Sequence, residues 1–115
     1  MAHGVWIFRD DRVQVPGDRD YDHDFAVAPG QLAVKVGSNV FFHNAAAVDA
    51  MIRFVDSDRN PFGADFSVPA GDEPTRKTLS QNAAPGVYRY DVYCGNDPKD
   101  LKRAHATRPI IIVYP

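Results

Sequence analysis

Eight glycines and nine prolines are scattered through 115 residues, and they leave no apolar run long enough for a substantial helix. In a helix interior glycine costs about 1 kcal/mol and proline about 3 kcal/mol relative to alanine. What survives between them are short stretches that alternate in polarity or are rich in β-branched and aromatic residues, the pattern of half-buried strands. Strands are expected over 4–9, 12–15, 23–27, 31–36, 39–44, 51–55, 65–68, 75–79, 86–94 and 109–114. Turn-forming pairs punctuate them: Pro16-Gly17, Pro29-Gly30, Gly37-Ser38, Asn60-Pro61, Ala70-Gly71 and Pro85-Gly86. Regularly spaced short strands of this kind predict an all-β sandwich, and a chain of this length predicts one domain over 1–115. No internal repeat is visible.

One segment departs from the pattern. In Asp97-Pro98-Lys99-Asp100-Leu101-Lys102-Arg103-Ala104-His105, Asp97 suits a helix N-cap and Pro98 the first helical position. Lys102, Arg103 and His105 would then sit at the favourable end of the helix dipole. The expectation is one short helix over 98–105, between the last two strands. In 86–94, period two puts Tyr88, Tyr90, Val92 and Cys94 on one face and Val87, Arg89, Asp91 and Tyr93 on the other. The Cys94 face reads as core, because Arg89 and Asp91 would be costly to bury unpaired.

Charge and cysteine content narrow the function classes. Thirteen Lys and Arg stand against fifteen Asp and Glu, a formal net charge of -2, so no global field favours nucleic acid or anionic lipid. No stretch approaches the roughly 20 apolar residues of a membrane-spanning helix, so no membrane insertion is expected. Nothing resembling a secretory leader precedes the first strand. The compartment is therefore read as cytoplasmic, or as periplasmic or secreted if a leader has been removed. A single cysteine, Cys94, rules out an internal disulfide and any multi-thiolate zinc site.

Three pieces, in order, resemble the cupredoxin family of plastocyanin- and azurin-like β-sandwiches. The first is Val34-Lys35-Val36-Gly37-Ser38-Asn39-Val40-Phe41-Phe42-His43-Asn44, similar to the family's strand, glycine turn and strand ending in Asn. The second is Pro69-Ala70-Gly71-Asp72-Glu73. The third is Pro85-Gly86-Val87-Tyr88-Arg89-Tyr90, similar to the run that leads to the family's copper-binding cysteine, followed by a last strand at 110–113. The resemblance implies a Greek-key β-sandwich of cupredoxin type. It also implies where a blue-copper site of two imidazoles and one thiolate would lie. Aligning Ile52 and Phe54 puts Ala50 at the upstream histidine position, and the cysteine position falls on Val92. Cys94 lies one pleat further, about 7 Å along the strand. Ten residues separate Cys94 from His105, and no Met follows.

The reading is therefore a non-enzymatic cupredoxin-like binding or structural domain with an incomplete blue-copper set, no resident cofactor, and a protein partner rather than nucleic acid. The alternative is an atypical copper-binding electron-transfer or metal-handling protein that uses Cys94 and His105, with His43 as a third ligand. Lys99, Lys102, Arg103 and Arg108 form a basic cluster that could meet an acidic partner. Asp18, Asp20, Asp22 and Asp24, and again Asp56, Asp58 and Asn60, alternate like the start of a calcium loop. Neither run has Gly at the sixth position or Glu at the twelfth, so both read as solvated acidic loops. No phosphate loop, nucleophile elbow or His-Glu-x-x-His motif points to an enzyme.

Overall fold

A computed structural model describes residues 3–9, 25–56, 58–97, 99, 101–104 and 108–115. Among these residues ten strands form two sheets: β1 (His3–Arg9), β2 (Phe25–Ala28), β3 (Gln31–Lys35), β4 (Asn39–Ala45), β5 (Ala50–Phe54), β6 (Phe66–Val68), β7 (Thr75–Thr78), β8 (Gly86–Cys94), β9 (Lys102–Arg103) and β10 (Ile110–Tyr114). One sheet has the order β2-β1-β4-β7; the other runs β3-β10-β8-β5-β6, with β9 also on β8. Two pairs are parallel, β1 with β4 and β3 with β10. Nine of the ten expected strands are present within a residue or two, β2 among them from Phe25 onward. The expected strand at 12–15, His23 and Asp24, and the Pro16-Gly17 turn lie outside the described residues.

The two sheets close over a core built by period-two alternation. Along β4, Val40, Phe42 and Asn44 point inward; along β8, Tyr88, Tyr90, Val92 and Cys94 do. Aromatic rings fill the middle: Phe42 meets Phe66 edge-on at 5.0 Å, and Phe54 lies 5.5 Å from Tyr90. Such rings carry much of the burial energy of a small sandwich, each covering a large apolar area. Gly37 makes the tight turn between β3 and β4 with a φ of 79°, and its amide donates to the Leu79 carbonyl. A side chain there would also press on Gln81.

The helix expected over 98–105 does not form. Asp97 does cap, but what it caps is a turn: its carboxylate accepts from the Lys99 amide at 2.9 Å. Lys102 and Arg103 then run as β9, with Arg103 opposite Tyr93 and Lys102 opposite Cys94, and the Ala104 amide donates to the Val92 carbonyl at 2.7 Å. The end of β8 offers backbone partners at once, whereas an isolated two-turn helix must carry the full cost of nucleation. Ala104 is buried by the pairing. Pro98, Asp100 and His105 lie outside the described residues.

Asp91 departs from the sequence reading as well. Arg89 is exposed as expected, but Asp91 is 8% exposed, and the charge is tolerated because Arg108 Nε donates to its carboxylate at 3.0 Å.

Tyr90, 1% exposed at the centre of the core, generates a pH prediction. Burial holds its hydroxyl well above the ordinary value of 10.0, since the phenolate would be poorly solvated there. The group leaves stability unchanged while both states keep the proton, and it costs stability as the pH rises above 10, where only the unfolded chain ionises. Urea midpoints followed from about pH 8 to pH 11.5 should therefore fall less steeply for Tyr90→Phe than for the parent. Identical slopes would show that Tyr90 is not sealed from water.

Candidate functional site

The end of the sandwich where β8 stops is built from small apolar side chains around one thiol. Cys94, 1% exposed, is the last residue of β8 and stands directly opposite Ala50, 3% exposed, the first residue of β5. One pleat back, Val92 is opposite Ile52. Ala46, Val68 and Ala104 belong to the same buried cluster. Ala50 and Val92, the two positions that the sequence resemblance sets against copper ligands, present a methyl and an isopropyl group, neither of which has a lone pair to donate.

Polar groups at this end are used to join loops. Asn44 is buried, and its amide nitrogen donates to the carbonyls of Val48 at 2.8 Å and Val68 at 2.9 Å, while its oxygen accepts from the Ala46 amide at 2.9 Å. Both N–H groups and the oxygen are thereby satisfied, as burial requires. Asp49 does the same from outside. Its carboxylate accepts from the Ala70 amide at 3.0 Å, its amide donates to the Asn96 side-chain oxygen at 3.1 Å, and its carbonyl accepts from Gly95 at 2.9 Å. Three loops, after β4, β6 and β8, are held together by these two residues. The first of them passes through Ala47 at a φ of 65°, a left-handed conformation unfavourable for a residue with a Cβ.

The three suggested metal ligands are placed differently. Cys94 faces the core. His43 lies between the inward-facing Phe42 and Asn44 on β4, so its side chain stands on the outward face of the first sheet, with its ring stacked on Trp6 at 4.0 Å and 8°. His105 lies outside the described residues. Among the described residues no group of three or more His, Cys, Asp or Glu side chains is arranged to hold a metal ion.

The basic cluster is spread out: Lys99 is exposed, Arg103 half-buried, and Arg108 paired with Asp91, while Lys102 is described only as backbone. Asp56 and Asn60 spend oxygens on their own turns, accepting from Asp58 and Phe62. Asp18, Asp20, Asp22 and Asp24 lie outside the described residues.

Two features escaped the sequence reading. Asn44 was visible only as the end of a strand, with nothing local to show that its amide would reach a carbonyl 24 residues away. The Trp6–His43 stack depends on the register of two strands far apart in sequence.

No family model and no curated protein sequence matches this chain. Solved structures do. A purple cupredoxin from Nitrosopumilus maritimus superposes with a TM-score of 0.55 at 19% identity, over 97% of this chain and 99% of that one. A proline-to-glycine mutant of amicyanin, in its reduced Cu(I) form at pH 4, superposes with a TM-score of 0.50 at 20% identity, over 98% and 82%. The fold is that of the cupredoxins.

The loop geometry predicts opposite effects for two neighbouring changes. Asn44→Ala strands one buried and one part-buried carbonyl and a buried amide and should cost about 2–4 kcal/mol of unfolding free energy. Ala47→Gly relieves the left-handed backbone and should gain about 0.5–1 kcal/mol after the entropy cost of glycine. Urea denaturation of both variants checks the pair; a neutral Asn44→Ala would mean that the loops are held by something else.

Proposed function

We propose that this chain, a cupredoxin-fold β-sandwich with Greek-key connectivity, serves as a non-enzymatic binding or structural module that has given up the blue-copper site. The observation that carries the proposal is the facing pair of Ala50 and Cys94. The position that would supply an upstream imidazole carries a methyl group, and that methyl packs in the strand register of the only thiol. A blue-copper centre needs two imidazoles and a thiolate converging on one metal, and the donor types at Ala50 and Val92 do not fit it. Asn44 and Asp49 supply by hydrogen bonding the loop cohesion that this end requires. A protein partner is the expected ligand of such a module, and the exposed Lys99 belongs to one surface it could use.

The competing reading, an atypical copper or zinc protein using Cys94 and His105, draws support from the place of Cys94 at the end of β8. Metal analysis separates the two. After incubation with one equivalent of Cu(II) and dialysis, the protein should retain no stoichiometric copper and develop no intense thiolate-to-copper absorption near 600 nm. Stoichiometric metal with such a band, abolished in Cys94→Ser, would overturn the proposal.

A further inference from the structure

A second feature lies on the outward face of the four-stranded sheet, and it stands independently of the metal question. Trp6 and His43 are register partners on the parallel strands β1 and β4, and their rings stack with centroids 4.0 Å apart. Trp6 is the chain's only tryptophan and remains 50% exposed. Beside the stack opens a hollow of about 480 Å³, walled by Trp6, His43, Ala45, Ala47, Gly71 and Asp72. We infer that this hollow binds a small organic cation of the alkylammonium class.

The charge of the walls points to a cation. Among the described lining residues Asp72 is the one carboxylate, His43 is the one basic side chain, and there is no lysine or arginine. Among the described residues no hydrogen bond or ion pair engages the exposed Asp72. His43 covers one face of the Trp6 indole; the other face, on a residue that is 50% exposed, carries the negative quadrupole that makes indole the best aromatic partner for a cation. Indole and carboxylate thus favour the same ligand charge.

The remaining walls select the kind of cation. Ala45, Ala47 and Gly71 offer methyl groups and bare backbone, surfaces that suit N-methyl or N-ethyl groups. A primary ammonium carries three donors and would need three acceptors; among the described residues the hollow has one carboxylate. A sugar would need several side-chain donors and acceptors around its hydroxyls. Asn44, the one side-chain amide among the described lining residues, has already committed both N–H groups and its oxygen inside the protein. The volume is in the range of small-molecule pockets.

Because Trp6 is the sole tryptophan, its fluorescence reports this site directly. The test titrates the protein with choline chloride at constant ionic strength and, in parallel, with 3,3-dimethylbutan-1-ol, the neutral isostere, and with cellobiose. Saturable binding of choline is expected, with the neutral isostere at least about tenfold weaker and cellobiose not saturating. Calorimetry should show choline affinity falling about fivefold or more in Trp6→Leu and in Asp72→Asn, two exposed positions outside the core. No saturation with choline to about 50 mM, equal binding of the neutral isostere, preferential binding of cellobiose, or an unchanged affinity in Asp72→Asn would each overturn the inference.

Discussion

The antiparallel register of β5 on β8 decides what one end of this sandwich can hold. It places Ala50 opposite Cys94 and Ile52 opposite Val92. Facing Cβ atoms in such a pair are about 4.5–5.5 Å apart, so the side chain across from the thiol is fixed by the backbone ladder and cannot be exchanged by a rotamer change. A register shift of a single residue would turn the whole inner row of β8 outward, and burial of Tyr88, Tyr90, Val92 and Cys94 forbids it. The same ladder continues onto β9, where Lys102 pairs with Cys94 from the other side. The thiol thus sits on a strand held between two others, and among the described residues the side chain across from it on β5 is Ala50.

Loop cohesion is the second constraint. A metal ion bound between loops would tie them together; here Asn44 and Asp49 do so with six hydrogen bonds to backbone and amide groups. The sheets manage charge in a related way. Asp91 enters the protein only because Arg108 accompanies it, and Lys77 on the edge strand β7 sets its ammonium 4.7 Å from the Phe66 ring. A half-buried lysine on an edge strand discourages pairing with another chain while contributing a cation–π contact.

Strand positions were legible because they depend on local facts: glycine and proline punctuate, and period two names the buried face. The core assignment of Tyr88, Tyr90, Val92 and Cys94 followed directly from it. The segment after Cys94 misled, because an Asp-Pro pair caps a turn as well as a helix, and only the exposed backbone of β8 decides between them. The buried state of Asp91 was hidden for the same reason, since its partner Arg108 is 17 residues away. Of the site, the lack of donors at Ala50 and Val92 could be read from the resemblance alone. That Ala50 and Cys94 face each other, that Asn44 joins the loop after β4 to the end of β6, and that His43 turns outward to Trp6 are consequences of register between distant strands.

The seal around Cys94 is the claim on which the functional reading rests, and thiol reactivity measures it directly. The account predicts that an aromatic disulfide reagent modifies Cys94 only through global unfolding, at a rate that tracks stability across a urea series and does not change when Cu(II) or Zn(II) is added. Rapid stoichiometric labelling of the native protein, blocked by either ion, would show an accessible thiolate ready for metal and would contradict it.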